Sequence, residues 1–400
     1  MKFRDKILAL VFFGFNIFGL PSPLLYSNFI SLVFVKNLLK TKYFIFTCFF
    51  VFTLLVYFAI HFYYGVEMTS YLNSLAVYLL VFINVIMAHN YIKYLGDRIN
   101  LLFDFIVKAN FTFFIISVLF LVSDFSKLTW RYYNYTDLSN QGAGIPRFRG
   151  FFYEPSYYAL MFSPFLLYYF YKFIFVEKSF KTFRNLLFVA IPIVFTWSFG
   201  VLLGILLAIV ISVIYYSTKY FKINIYFLVA FSLLPIGVLL LLMFNTEIAH
   251  RIIMNFKGDD LSTKGRTSNA FEIANHLIHA KSPFFGIGLG QIKIFGQEYI
   301  QNYYGYQKWY RVSIPNAFAE TLAIFGYTGA FLRLFFQLFL FFYKKCYNNM
   351  FSLTLFAFIF IYQFTGSFIT STLEYIIWLM AVMNIFPEFN ISNRYAQNYK

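Results

Sequence analysis

The stretch Arg147-Phe148-Arg149-Gly150-Phe151-Phe152-Tyr153-Glu154-Pro155-Ser156 sets two guanidinium groups just ahead of a carboxylate, and the carboxylate just ahead of a proline that opens a long apolar run. A guanidinium fork gives two parallel hydrogen bonds to phosphate, so the arginines suit a phosphorylated substrate. Pro155 suits the first turn of a helix, where its missing N–H costs nothing. Glu154 then lies at the helix N-terminus, beside open backbone N–H groups. Three roles are open to it: general base for a hydroxyl, clamp that orients Arg147 or Arg149, or plain helix cap. The rim of an apolar phase raises its proton affinity, and the neighbouring cations lower it.

Pro315-Asn316-Ala317-Phe318-Ala319-Glu320 repeats the proline-led start. Asn316 offers a donor and an acceptor, or caps the helix. Glu320, a turn further in, and Glu374, in the last apolar run, are ionisable where ionisation is expensive, which suggests function. The bland alternative is a side chain facing water along a polar seam. Arg333 is expected to snorkel at the inner end of its helix. Arg266, Lys281 and Arg311 occupy a long polar segment and are further candidates for phosphate contact, against the alternative of a solvated basic loop. Glu272, His276 and His279 share one face of a short helix; that spacing is more often an amphipathic loop helix than a metal site, and no metal is expected. Gly286-Ile287-Gly288-Leu289-Gly290 follows no strand, so it reads as a tight loop folding back to the membrane rather than a nucleotide cradle. No serine or cysteine elbow supports nucleophilic catalysis. Cys48 and Cys346 suggest neither a disulfide framework nor a metal site.

The elements that must position these groups are membrane helices. The chain is 60% hydrophobic and only 12% charged, against roughly 25% charged in soluble proteins. Runs such as Leu186–Tyr216 are long enough to cross a bilayer. Hydropathy gives an all-α, polytopic transmembrane bundle of about twelve spans. The expected spans are Ile7–Gly19, Leu24–Leu39, Tyr43–Tyr63, Tyr71–Tyr91, Leu102–Ser123, Pro155–Phe175, Leu186–Trp197, Ser198–Tyr216, Ile223–Phe244, Pro315–Tyr343, Met350–Phe364 and Gly366–Phe386. Leu186–Tyr216 also fits one long tilted helix. Residues 1–400 form a single membrane domain, with 315–400 holding the last three spans and the tail.

Lys and Arg fall in alternate short turns, from Lys36, Lys40 and Lys42 to Lys344 and Lys345, which puts both termini in the cytoplasm. The two long polar segments, 124–153 and 245–314, then lie outside the cytoplasm. Both are rich in positive charge. The net charge of +16 therefore points to topology, anionic lipid and phosphate; no nucleic-acid-binding motif is present.

Read in order, these motifs resemble a family. Arg147–Ser156 is followed by Thr196-Trp197-Ser198-Phe199-Gly200, Arg266-Thr267-Ser268, Ser282–Gly290, Pro315–Leu322 and Phe325-Gly326-Tyr327-Thr328-Gly329. The series is similar to the O-antigen polymerase and ligase superfamily of bacterial membrane glycosyltransferases, over roughly Arg147–Gly329. The resemblance implies a GT-C-like helical fold in the cytoplasmic membrane. It implies transfer of a glycan from undecaprenyl pyrophosphate to a sugar hydroxyl on the outer face. Neither nucleotide sugar nor cofactor is implied; a chain-length regulator and a flippase are possible partners. Ligases of this superfamily typically carry a histidine in the loop before the late span, often directly before the asparagine matched by Asn316; Pro315 stands there, after Ser313-Ile314, which favours polymerase over ligase. His276 and His279 are the histidines able to substitute in space. On this reading Arg147, Arg149 and Arg266 hold the pyrophosphate, helped by Lys281, Arg311 and Asn316, and Glu154 takes the acceptor proton. The rivals are a flippase or other transporter, which would show mid-membrane sites and internal repeats, and a scaffold.

Overall fold

The structure, a computed structural model, describes residues 2–13, 16–17, 20, 24–33, 36, 40–124, 126–131, 146–220, 261–305 and 312–390. The expected span Ile223–Phe244 and the candidate Arg311 lie outside them. Helices dominate: α1 (Phe3–Phe13), α2 (Tyr26–Leu32), α3 (Thr41–Tyr63), α4 (Met68–Leu95), α5 (Ile99–Leu119), α6 (Ser126–Thr129), α7 (Pro155–Tyr171), α8 (Phe180–Val194), α9 (Phe199–Tyr220), α10 (Leu261–Arg266), α11 (Ser268–His279), α12 (Gln297–Tyr304), α13 (Ala317–Tyr343), α14 (Met350–Tyr362) and α15 (Thr372–Val382). Among the described residues, five helical stretches are long and apolar enough to cross a membrane: Tyr43–Tyr63, Met68–Leu119, Pro155–Val176, Phe199–Ser217 and Ala317–Tyr343. The second contains both α4 and α5. The chain is a helical membrane protein.

The described residues are mostly helical, as expected of an all-α membrane protein, and hold one short ribbon besides. Trp130–Arg131 (β1) and Arg147–Phe148 (β2) pair as an antiparallel ribbon, Trp130 opposite Phe148 and Arg131 opposite Arg147. The stretch 186–216 is divided, with α8 ending at Val194 and α9 starting at Phe199. Trp197 turns the chain with φ of 50°, and Thr196 Oγ1 accepts the Ser198 N–H at 3.3 Å.

Two apolar clusters hold the described residues together. The larger joins α5, α7, α9, α14 and α15, with α7 at its centre. In Pro155–Val176, 61% of the most apolar window is buried, against 11% in Tyr43–Tyr63, so α7 is a core helix and α3 a peripheral one. The smaller cluster joins the ends of α3 and α4 to α11, α12, the 287–292 loop and the start of α13.

The start of α13 is broken. Gly326 has φ of 66° and ψ of −166°, which is not helical. A break in apolar surroundings strands backbone groups that water cannot satisfy. The glycine-rich loop supplies the partners: Ile287 N donates to Ala323 O at 2.9 Å, Gly288 N to Ile324 O at 3.0 Å, Tyr327 N to Pro283 O at 3.0 Å and Thr328 N to Phe284 O at 3.1 Å. The loop does fold back onto the helices, and it completes one of them. His61 steadies it from α3, bonding the Phe285 carbonyl at 2.7 Å.

The break also overturns the expectation for Arg333. Its Nη1 donates to Thr321 Oγ1 at 3.1 Å, although the two residues are 12 apart. In an unbroken helix they would be separated by about 18 Å along the axis, beyond the reach of the side chain. Arg333 does not snorkel; it turns inward and pairs with Glu374. The expected span Gly366–Phe386 is shortened to α15 for a related reason: residues 363–371 form a turn that receives the first N–H groups of α13.

The mutual approach of the loop and α13 is testable. A Cβ at Gly326 would lie 2.4 Å from the Phe284 backbone, and one at Gly286 2.5 Å from that of Ile324. Gly65, also at positive φ, has nothing within 4 Å of its Cβ position. Gly326→Ala and Gly286→Ala should each cost about 2–4 kcal/mol, and Gly65→Ala about 1 kcal/mol, in thermal unfolding of the purified protein. A Gly326→Ala variant as mild as Gly65→Ala would contradict the packing described.

Candidate active site

The ribbon gives each arginine of the 147–149 pair a different job. Arg147 is buried and turns to the α8–α9 junction, where Nε donates to Thr196 O at 2.8 Å and Nη2 to Trp197 O at 3.3 Å and Ser198 Oγ at 3.4 Å. Beside it, Phe148 N donates to Phe195 O at 2.9 Å, and the Phe148 ring packs on Phe114, Trp130 and Tyr158. Arg147 is thus a strut that ties β2 to the Thr196–Ser198 turn. Arg149 turns to the other side; its Nη2 donates to Lys127 O at 2.9 Å. It lines a pocket of about 710 Å³ with Asp124, Lys127, Trp130 and Arg131. Asp124 and Lys127 pair at 2.9 Å, which lowers the carboxyl pKa and raises that of the ammonium.

Glu154 sits at the start of α7 in extended conformation and makes no side-chain capping bond, so it is not a plain cap. Nor does it clamp Arg147 or Arg149. Its Oε1 lies 3.6 Å from Arg131 Nη1, and its Oε2 lies 3.8 Å from Arg266 Nη2. Ser156 Oγ donates to Oε2 at 3.3 Å. The carboxylate therefore bridges two arginines from distant segments. All three side chains are between 34% and 40% exposed. Pairs this open and this long contribute about 0–1 kcal/mol to stability. The carboxylate therefore holds the two arginines only weakly.

Arg266 is placed through its backbone. Asn316 is fully buried and caps α13, with Oδ1 accepting from Ala319 N at 2.8 Å. Its Nδ2 donates to Arg266 O at 2.7 Å and to Phe364 O at 2.6 Å. Asn316 is thus a positioning residue, and its amide is engaged by protein. Glu320 accepts from Ile369 N at 2.7 Å, holding the turn between α14 and α15.

Other sequence candidates lie apart. Lys281 reaches the carbonyls of Gly65 and Ile287 and covers the Phe295 ring; burial lowers its pKa. His276 stacks on Tyr299 with ring centroids 3.7 Å apart. His279 Nδ1 bonds the Asn275 carbonyl at 2.8 Å. Glu272 accepts from Tyr303 OH at 2.7 Å, which pushes the phenol pKa up to about 12. Among the described residues, no three His, Cys, Asp or Glu side chains come together as a metal site. Arg131, which the sequence shows only as one of several basic residues in its segment, is the residue that the structure adds beside Glu154. Its signal is the mirrored order Trp130-Arg131 and Arg147-Phe148, which the ribbon sets face to face.

A family model described as O-antigen ligase matches residues 185–334, in agreement with the resemblance to the polymerase and ligase superfamily. The matched segment includes the Thr196–Ser198 turn, Arg266, the glycine-rich loop and Asn316. The family implies glycosyl transfer of the O-antigen polymerase or ligase kind, with lipid-linked oligosaccharide as substrate. No curated protein and no solved structure matches the chain significantly.

Strut and ligand separate by mutation. Arg147→Ala leaves the Thr196 and Trp197 carbonyls without this donor and should lower stability by about 1–3 kcal/mol. Arg131→Ala should leave the unfolding temperature within a few degrees and reduce glycosyl transfer by about tenfold or more. Unfolding in detergent and transfer by the reconstituted protein measure the two effects. The opposite assignment would contradict the geometry.

Proposed function

We propose that the protein polymerises undecaprenyl-pyrophosphate-linked oligosaccharide repeat units into a surface polysaccharide, on the outer face of the bacterial cytoplasmic membrane. The observation that carries this reading is the Glu154 carboxylate held loosely between Arg131 and Arg266, beside a pocket that Arg149 and Lys127 also line.

Arg131, Arg149 and Arg266 hold the donor diphosphate and neutralise the charge that develops as it leaves. Cations placed against the charge that develops stabilise the transition state more than the ground state. The acceptor hydroxyl oxygen forms a bond to the anomeric carbon. The bond from that carbon to the diphosphate oxygen breaks, and its electron pair leaves with the lipid diphosphate. The hydroxyl proton passes to Glu154, which is freed from its arginines when the diphosphate engages them. Arg147 and Asn316 frame the site without touching substrate, and Lys281, His276 and His279 serve the surrounding loop. A chain-length regulator and a flippase for the same lipid are the expected partners.

The second reading is a ligase that moves the finished glycan to lipid A core. The description of the matching family model favours it; Pro315, standing where ligases often carry histidine before the asparagine, favours the polymerase. Reconstitution decides between them. Purified protein in liposomes receives a lipid-pyrophosphate-linked repeat unit. A ladder of products without nucleotide sugar, reduced about tenfold or more in Arg266→Lys, supports the polymerase, because lysine keeps the charge and loses the fork. Product only on addition of lipid A core supports the ligase. Movement of labelled lipid between leaflets with no new glycosidic bond overturns both.

A further inference from the structure

Arg333 and Glu374 form an ion pair in the apolar interior, with side chains 10% and 0% exposed. One guanidinium joins four segments there. Nη2 donates to Glu374 Oε1 on α15. Nε donates to Gln363 Oε1 at 2.8 Å, just past α14. Nη1 crosses the Gly326 break to Thr321 on the first half of α13. Gln363 is held a second time by a reciprocal amide pair with Gln337, at 2.9 and 3.0 Å. Trp378 Nε1 also donates to Glu374 Oε1, at 3.3 Å. Apolar side chains of similar volume generally pack such an interior at least as stably as a buried ion pair. Ionisable groups at this depth therefore ask for a reason beyond packing.

The reason lies in what Gln363 carries. Phe318 N donates to Gln363 O at 3.1 Å and Ala317 N to Gly366 O at 3.0 Å. Between them, Asn316 Nδ2 bridges Phe364 O and the Arg266 carbonyl. Arg266 in turn reaches Glu154. Glu320 braces the far side of the same turn through Ile369 N. A continuous line of polar contacts thus runs from Glu374 through Arg333, Gln363, the 363–366 turn, Asn316 and Arg266 to Glu154.

We propose that the buried Arg333–Glu374 pair is the positioning device for Arg266: it fixes the 363–366 turn, and the turn fixes Asn316 and the end of α10. Arg333 and Glu374 are positioning residues, and neither touches substrate. The kinetic half of the test rests on the function proposed above; the structural half does not.

The test replaces both charges together, Arg333→Met with Glu374→Leu, so that no lone charge is buried. A second variant, Gln363→Leu, keeps the ion pair and removes its link to the turn. Amide hydrogen exchange by mass spectrometry reads peptides covering 261–268 and 314–320, and transfer kinetics read kcat and KM. Each folded variant is expected to exchange about tenfold faster in both peptides. Its kcat should fall by about tenfold or more, with KM for the lipid-linked donor within about threefold. Wild-type exchange in both peptides overturns the proposal whatever the kinetics, as does faster exchange with wild-type kcat. If the double variant does not fold, Gln363→Leu decides alone. If the wild-type protein shows no transfer, the proposed function fails, while exchange still decides whether the pair holds the turn.

Discussion

The arrangement depends on one constraint: a helix interrupted in apolar surroundings must find partners for its opened backbone. At Gly326 those partners come from Pro283, Phe284, Ile287 and Gly288. Close approach excludes a side chain on both sides, so Gly286 lies against the backbone of Ile324 and Gly326 against that of Phe284. Once the break is satisfied, the two halves of α13 no longer share an axis. The first half can then deliver Asn316 to the α10 end, and the second half can return Arg333 to Thr321 and Glu374. An unbroken helix would keep Arg333 from Thr321.

Charge is used in two regimes. Between Glu154, Arg131 and Arg266 the contacts are 3.6–3.8 Å and partly exposed, worth about 0–1 kcal/mol. Between Arg333 and Glu374 water is excluded, and losing one partner would strand a buried charge at a cost of about 3–5 kcal/mol. The loose contacts suit a place where substrate enters. The tight one suits a frame that must not move while it does.

Much of the site was legible because it depends on local chemistry. Pro155 announced the start of α7 and put Glu154 at its rim; Asn316 before an alanine-rich turn announced a cap; three glycines in Gly286–Gly290 announced a loop turning back. What was hidden is non-local. Two-residue strands carry no periodicity, so the pairing that sets Arg131 opposite Arg147 left only the mirrored Trp-Arg and Arg-Phe order. Arg147 read as a phosphate ligand because nothing in its neighbours points to the Thr196–Ser198 turn. Arg333 read as snorkelling because that rule assumes a continuous helix, and a glycine at positive φ cannot be told from an ordinary helical glycine by spacing alone.

The most direct measurement is a structure of the protein bound to an uncleavable lipid-diphosphate-linked sugar in a membrane mimetic. The account predicts the diphosphate within hydrogen-bonding distance of Arg131 and Arg266, with Glu154 released from at least one of them and turned toward the acceptor side, and with Arg147 still on the Thr196 and Trp197 carbonyls. A diphosphate bound elsewhere, with Glu154 still bridging both arginines, would contradict it.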